Sequence, residues 1–482
     1  MTSISRYTHV AASVAGLAVL LATTGQAQQP PERDQTRQPD ELELIIGDRI
    51  GTQPSFAVPD CLALTPDEST AEAARTIAQV LWDDLDFERE IRMIPRDVYR
   101  TIPVARSLID LPFDRWRELG ADGVISCTVE ATSETQMEIT VRLFSIRSLE
   151  WAFGVQYEGS NRNPRLYAHQ LSDEIHRHQR GLEGVARTRI AFVSDRDSES
   201  VLGLVENRQV KEIYIADYDG ANTKRVTVSR VLNTTPAWSP DGRSIGYTSW
   251  LTGFPDVVVS HLYEGRMTRP AEGNIEDHNF LPAFSPDGSR IAFMSNRNGN
   301  NDIYVANVDG TGDVVQITNH PAIDFSPTWS PNGQQIAFGS DRTGSPQIYV
   351  VGADGTGTRR LTYETYCDRP TWSPAPFNEI AFSSKTGPGH DIKVIDLATG
   401  DVRQLTFGLG SNESPSYSPN GRHVAFSSTR GSGLKQIFTI GRDGNGLHQV
   451  TYTTSSSFSS IRPTCKTNNH KRKVRFRNFM HY

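Results

Sequence analysis

Long apolar runs are almost absent from this sequence. The longest extends from Val10 to Ala22 and is shorter than the roughly 18 apolar residues expected of a membrane-spanning helix. No later segment approaches that length. The sequence therefore predicts no direct insertion into a membrane.

An excess of positive charge is also missing. Lysine and arginine number 49 against 56 aspartate and glutamate residues, and the formal net charge is -7. Such a chain has no general attraction to nucleic acid or anionic lipid, so we expect no nucleic-acid partner. The exception is a basic tail over residues 464–482, which we interpret as a divergent, solvated chain end.

Cysteine is scarce. The four cysteines form neither a CxxC pair nor a zinc-binding pattern, and we expect no metal and no cofactor. Cys61 and Cys127 can form a disulfide if the strands that carry them adjoin, a question that spacing alone leaves open. Cys367 and Cys465 are expected to be unpaired.

The start of the chain has the order of an export signal. Arg6 precedes the apolar run, and the small residues Gly25 and Ala27 follow it. We predict a cleaved signal peptide over residues 1–27 and hence an exported protein. Residues 28–40 are rich in proline and charge, and we predict that they form a disordered linker.

A repeat of about 45 residues fills the second half of the chain. An apolar strand ending in serine, as in "IAFGS", occurs six times, and a strand such as "IYVVGADG" follows each copy. An aromatic-Ser-Pro element precedes five of the copies, at Trp238, Phe284, Trp329, Trp372 and Tyr417. Four short strands per repeat are typical of a propeller blade. We predict an all-β six-bladed propeller over residues 184–463.

The first blade lacks its own aromatic-Ser-Pro strand. Closure of the ring then requires a strand from the end of the chain, where Ile461 and Arg462 replace the aromatic residue and the serine. The sequence predicts a poorly formed clasp.

The residues ahead of the repeats have a mixed pattern of strands and helices. Helical periodicity covers residues 72–87, 107–119 and 166–180, and extended runs such as "GVISCTVEA" lie between them. We predict a separate α/β domain over residues 41–183.

Some motifs suggest chemistry. "GRSIG" at residues 242–246 matches a serine nucleophile pattern, but it lies in a predicted hairpin instead of a strand-turn-helix elbow. The recurring pairs Asp195-Arg196 and Asp341-Arg342 are interpreted as structural contacts between adjacent blades. His278 precedes an inner strand and is either a packing residue or part of a site at the channel mouth.

The junction "AHQLSDEIHRHQRGLEGVARTRIAFVSDR" and the segment "PAWSPDGRSIGYTS" resemble the TolB family of the Tol-Pal system of Gram-negative bacteria. The resemblance covers about residues 40–451. It implies a monomeric, periplasmic, non-enzymatic scaffold that supports cell-envelope integrity, protein import and cell division.

The resemblance also implies two binding sites. A peptidoglycan-associated lipoprotein (Pal-like) is expected to bind the loops before the aromatic-Ser-Pro strands, at His278, Asn279, Leu281, Asp324, Phe325 and Ser326, with further contacts at Asn233, Thr234, Asp368, Arg369, Asn412 and Glu413. A TolA-like protein is expected to bind the N-terminal segment Glu41, Leu42, Glu43, Leu44, Ile45, Ile46 and Gly47. About thirteen residues precede this segment after the predicted cleavage, whereas the family's segment lies almost at the mature terminus. The alternative is an exported propeller enzyme, either peptidase-related or a lyase.

Overall fold

The computed structural model describes residues 53–199 and 210–452, together with the backbone of residues 456–461. The predicted signal peptide, the linker, the segment Glu41–Gly47 and the basic tail lie outside the described residues. No helix in the described part of the chain is long and apolar enough to cross a membrane.

An α/β region comes first. Its strands are β1 (Ser55–Ala57), β2 (Leu62–Ala63), β3 (Arg92–Met93), β4 (Gly123–Ala131), β5 (Gln136–Ser145) and β6 (Trp151–Ser160). Its helices are α1 (Glu68–Glu88), α2 (Phe113–Glu118) and α3 (Pro164–Arg180), with a 3-10 helix at Arg96–Thr101. The strands form one sheet in the order β3-β1-β4-β5-β6, with β2 also paired to β4. Helices α1 and α3 pack against each other, and α1 also packs against β4.

Local sequence sets the ends of these helices. The Asp67 carboxylate accepts a hydrogen bond from the Thr70 amide at 2.8 Å and caps α1. The predicted helix over residues 107–119 is wrong for its first half, because only Phe113–Glu118 is helical. Pro112 explains the difference, since the residue before a proline is disfavoured in helical conformation.

A disulfide joins Cys61 to Cys127 of β4. This answers the question that the cysteine spacing left open. The Cys367 thiol is free and buried, as predicted, and Cys465 lies outside the described residues.

The propeller follows as six four-stranded sheets, and the prediction of six blades after an α/β region is confirmed. The inner strands are β10 (Asn233–Trp238), β14 (Asn279–Phe284), β18 (Asp324–Trp329), β22 (Cys367–Trp372), β26 (Asn412–Tyr417) and β30 (Ser456–Ile461). The second strands are β7 (Arg189–Ser194), β11 (Ser244–Ser249), β15 (Arg290–Ser295), β19 (Gln335–Ser340), β23 (Glu379–Lys385) and β27 (His423–Ser428). The third strands are β8 (Glu212–Asp217), β12 (Asp256–His261), β16 (Asp302–Asn307), β20 (Gln347–Gly352), β24 (His390–Asp396) and β28 (Gln436–Gly441). The outer strands are β9 (Lys224–Arg225), β13 (Arg266–Thr268), β17 (Val315–Gln316), β21 (Arg359–Arg360), β25 (Val402–Gln404) and β29 (His448–Gln449).

The core lies between neighbouring blades. The phenylalanine of the "IAF" or "VAF" motif is fully buried in five second strands, at Phe192, Phe293, Phe338, Phe382 and Phe426. Each of these rings belongs to a cluster of apolar residues from adjoining sheets. Burial of such a side chain contributes about 1.5 to 3 kcal/mol, so the repeated motif stabilises the whole ring.

The ring closes because a strand from the end of the propeller, β30, completes the first blade. Strand β30 pairs antiparallel with β7, and Ile461 lies opposite Ile190. Trp238 lies opposite Ile245 in the same way. Ile461 therefore occupies the aromatic position of the repeat, as the sequence predicts.

Candidate interaction surface

The propeller has two faces, and the α/β region contacts one of them. The Tyr218 hydroxyl, in the turn after β8, donates to Asp84 of α1 at 2.6 Å. The Asn420 side chain, in the turn before β27, donates to the Glu183 carbonyl at 2.9 Å. Because strands alternate in direction, the loops that lead into the inner strands lie at the opposite face. We call that opposite face the mouth face, and no described residue of the α/β region covers it.

The central channel begins behind the mouth face. The third residue of five inner strands has a positive φ and precedes a proline, at Thr235, Leu281, Ser326, Arg369 and Ser414. The strand ladder shifts register at these bulges. Together with the residues that follow them, they line a cavity of about 250 Å³. Leu281, Ser326 and Arg369 of the predicted site therefore lie at the channel wall.

Four residues of the predicted site are buried instead of exposed in loops. Asn233, Asn279, Asp324 and Asn412 begin inner strands and have no exposed surface. Asn279 donates to the Asp256 carboxylate at 2.8 Å, and Asp324 accepts two hydrogen bonds from Arg342. The prediction of loops is wrong here, because these polar groups need partners inside the sheet. Their side chains hold the strands in place.

The Arg342 contact also corrects the interpretation of the Asp-Arg repeats. Arg342 follows β19 and binds Asp324 of β18, which belongs to the same blade. Its guanidinium also lies over the rings of Phe338 and Tyr349, at 5.4 and 4.8 Å from their centroids. In this case the arginine joins strands within one blade instead of joining adjacent blades.

The remaining predicted residues are half-buried and accessible from the mouth face. Thr234, Phe325, Asp368 and Glu413 are the second residues of their inner strands, and His278 precedes β14. Phe325 lies close to the backbone of β19. The His278 Nε2 atom is 3.0 Å from the Ile275 carbonyl oxygen.

Two carboxylates near the channel, Asp368 and Glu413, have pKa values that are shifted in opposite directions. Burial raises the pKa of Asp368, although the charge of Arg369 acts in the opposite direction. Desolvation disfavours the charged form of Glu413, but hydrogen bonds from Lys435 and Ser411 outweigh it and lower its pKa. The Lys435 ammonium lies 2.7 Å from Glu413. Polar groups of this kind give an interface its specificity.

Sequence reasoning missed a set of exposed apolar residues on the mouth face. Each loop that leads into an inner strand carries at least one of them, at Val228, Ile275, Ile323, Tyr363, Phe407 and Tyr452. All except Ile323 are between 71% and 79% exposed. Four of the six directly follow the threonine that ends the outer-strand motif, as in "RRLTY" and "RQLTF". This apolar residue after threonine was the available signal.

Phe280 was also missed. Its ring lies 6.1 Å from the Trp250 ring and 6.2 Å from the His278 ring, measured between centroids. Phe280 and Phe325 occupy the same strand position in adjacent blades. Each of these half-buried aromatic side chains is a suitable anchor for a protein partner.

The described residues hold no group of three His, Cys, Asp or Glu side chains that could bind a metal ion. Ser244 of the "GRSIG" motif is buried in the first position of β11, and its hydroxyl lies 3.0 Å from His261 Nδ1. The other ring nitrogen of His261 faces Thr268 at 3.3 Å instead of a carboxylate. This geometry lacks both the nucleophile elbow and the acid of a catalytic triad.

The fold defines a class of protein: a six-bladed propeller with an α/β region on one face. On the other face, the mouth face, the six exposed apolar residues named above form what we call the apolar rim. The TolB amino-terminal domain family matches residues 42–150, and the TolB beta propeller domain family matches residues 178–376. A Tol-Pal system protein TolB from Bordetella avium is 36% identical over 415 residues, which cover 84% of this chain and 90% of that relative. The chain belongs to the TolB family.

Other relatives match over a shorter stretch. A Tol-Pal system protein TolB from Desulfosudis oleivorans is 36% identical over 215 residues, which cover 44% of this chain and 46% of that relative. The match spans about half the length of this and several other relatives. The crystal structure of TolB from Acinetobacter baumannii has the same fold, with a TM-score of 0.70 at 24% identity, and the alignment covers 86% of this chain and 97% of that one.

Proposed function

We propose that this protein is a periplasmic, non-enzymatic scaffold of a Tol-Pal-like system. In this proposal the mouth face binds a Pal-like lipoprotein, and the segment Glu41–Gly47 binds a TolA-like partner. The protein thereby supports outer-membrane integrity and cell division. Membership of the TolB family supports the system, and the apolar rim of the mouth face supports the place of binding.

The exposed rim is the observation that carries the Pal-like site. The loop before each of the six inner strands carries an exposed apolar residue, and exposed apolar surface on one face is typical of an interaction surface. The half-buried Phe280, Phe325, Asp368 and Glu413 share the second position of their inner strands, next to these loops. Aromatic side chains that a partner can bury are typical of binding hot spots.

Substitutions in the rim test the proposal. We expect Tyr363→Ser and Phe407→Ser each to weaken binding of the Pal-like lipoprotein by about 1 to 3 kcal/mol, because they remove exposed apolar contact area. Isothermal titration calorimetry with the lipoprotein of the same organism measures the effect. Val315→Ser is the matched control, because Val315 is an exposed apolar residue on the outer strand β17.

If the two rim variants bind the lipoprotein as tightly as the control does, the proposed binding at the mouth face is wrong. A further variant, Phe325→Ala, tests the half-buried aromatic residue that the sequence predicts as part of the site. We expect a loss of similar size, about 1 to 3 kcal/mol, without unfolding of the protein.

Deletion of residues 41–47 tests the second partner. We expect the deletion to abolish binding of a TolA-like protein and to leave Pal-like binding measurable, because alternating apolar and polar residues can add a strand to a partner's sheet. Pull-down with each partner separately measures both outcomes. Unchanged binding of both partners would contradict the assignment of this segment.

A further inference from the structure

A second cavity lies within the α/β region. Its volume is about 280 Å³, and it is bounded by the segment after β1, the 3-10 helix Arg96–Thr101, and the residues up to and including Trp116 of α2. This volume is close to the lower end of the range for small-molecule sites, about 300 Å³. The cavity includes no residue of the propeller.

The walls of this cavity are largely apolar. They include Leu62, Ile102, Pro103, Val104, Leu111 and Pro112. Val104 is 86% exposed and lies at the rim, whereas Leu111 is buried. An apolar wall that continues from the interior to the surface favours a ligand with an apolar group.

Trp116 supplies a polar atom that is not satisfied by the described residues. Its side chain is 2% exposed, and its Nε1 atom donates to no described residue. By contrast, Trp82 Nε1 in the same region donates to the Ile94 carbonyl at 2.9 Å. A tryptophan Nε1 is only a donor, and a buried donor normally has an acceptor. Because Trp116 lines the cavity, a ligand in the cavity can provide that acceptor.

The cavity also carries positive charge. Arg96 forms an ion pair with Asp60, whereas Arg100 forms no ion pair with any described residue, and both arginines line the cavity. The Tyr99 hydroxyl is already engaged, since it donates to the Ile94 carbonyl and accepts from the Val58 amide. The free charge at this site therefore favours an anion.

We propose that this cavity binds a small ligand that combines an apolar group with a carboxylate. The apolar group packs against the cavity walls, an oxygen atom of the ligand accepts from Trp116 Nε1, and Arg100 balances the negative charge. A fatty acid and the C-terminal residue of a peptide share this chemistry. The site is separate from the mouth face and does not depend on the function proposed above.

Two probes distinguish the sources of the ligand. Decanoate represents a fatty acid, and N-acetyl-leucine represents a peptide C-terminus. N-acetyl-leucinamide is the uncharged control. Binding to the purified protein is measured by ligand-observed NMR and by isothermal titration calorimetry, with circular dichroism as the measure of folding.

Two variants and one matched control locate the binding. We expect Arg100→Ala to weaken carboxylate binding about threefold to fivefold, as for an exposed ion pair. We expect Trp116→Phe to weaken it about fivefold through the loss of one hydrogen bond. Arg106→Ala is the control, because Arg106 is an exposed arginine nearby that does not line the cavity.

Weaker binding in Arg100→Ala, with unchanged binding in Arg106→Ala, supports the proposal, even if Trp116→Phe proves too unstable to measure. Preference for decanoate identifies a fatty acid, and preference for N-acetyl-leucine identifies a peptide terminus. The proposal is overturned if neither carboxylate binds at millimolar concentration. It is also overturned if the amide binds as well as the acid, or if Arg100→Ala binds as well as the control.

Discussion

The position of the Phe325 ring depends on the absence of a side chain at the residue opposite it. In the ladder between β18 and β19 Phe325 pairs with Gly339, and a Cβ atom at Gly339 would lie 2.6 Å from the Phe325 ring. In two other blades the equivalent position carries Thr248 and Met294. Gly339 thus fixes how deeply the aromatic ring lies at the channel mouth.

Gly339→Ala tests this dependence at the residue scale. We expect the added methyl group to displace the Phe325 ring and to weaken Pal-like binding by about 1 kcal/mol or more. The combination Gly339→Ala with Phe325→Ala should lose no more affinity than Phe325→Ala alone, since both changes act through one ring. Additive losses in calorimetry would show that Gly339 acts independently of Phe325.

Glu88 is a second residue whose surroundings determine its chemistry. It is the last residue of α1, it is buried, and it accepts a hydrogen bond from the Val185 amide. Desolvation raises its pKa to about 8; Asp173 adds to this effect and Arg422 opposes it. On the propeller side, desolvation lowers the pKa of His423 to about 4.

The shifted pKa values of Glu88, His423 and His176 together contribute most to stability near pH 6.5. Folded Glu88 keeps its proton up to about pH 8, whereas the unfolded chain releases it near 4.5, so its contribution is lost as pH rises toward 8. Folded His423 and His176 stay neutral down to about pH 4, whereas the unfolded chain protonates near 6.5, so their contribution is lost as pH falls.

Glu88→Gln separates the two effects. We expect this variant to lose about 1 to 2 kcal/mol less stability than the native protein between pH 6.5 and 8, because it has no proton to release. The acid side of the profile should be retained, since both histidines remain. Urea unfolding at a series of pH values measures this, and parallel profiles for the two proteins would contradict the assigned ionisation of Glu88.

At the scale of elements, the closing strand departs from the repeat in its sequence. Strand β30 has the same pairing as the other inner strands, but it places Ile461 where they have Trp, Phe or Tyr. Trp329 illustrates what is lost, since it is buried and its Nε1 donates to the Ala283 carbonyl of the preceding blade at 3.1 Å. Isoleucine has neither the ring area nor the N–H donor for such a contact.

Ile461→Trp is expected to stabilise the closed ring by roughly 1 kcal/mol, because the larger side chain buries additional apolar surface at about 25 cal/mol per Å². The thermal midpoint of unfolding should rise accordingly. Deletion of residues 464–482 should change the midpoint little, because the strand ends before them. A midpoint that falls on this deletion, with no gain from Ile461→Trp, would show that the tail closes the ring by other contacts.

At the scale of the whole molecule, the repeats were predictable and the details of the binding surface were not. The six blades follow from the period of about 45 residues and from strand motifs that bury one aromatic residue each, a phenylalanine in five blades and Tyr247 in the remaining blade. The inward position of Asn279 and Asp324 could not be predicted, because it depends on acids and arginines from other strands. Pro112 did carry a usable signal for the shortened helix α2.

The exposed residues of the mouth face were also not predicted from the sequence. Tyr363 and Phe407 follow the threonine of the outer-strand motif, but the repeat does not show that this position is exposed on the mouth face. Their place on one face follows only from the closed ring, which brings the loops before the inner strands to the same side of the propeller. The α/β region contacts the opposite face of the propeller.

Site-specific photo-crosslinking tests the central claim most directly. A benzoylphenylalanine is placed at Tyr363 on the mouth face or at Val315 on the outer strand β17, and the intact cells are irradiated. We predict that position 363 captures the Pal-like lipoprotein and that position 315 does not. Capture from position 315, or no capture from position 363 while the lipoprotein still co-purifies with the protein, would contradict binding at the mouth face.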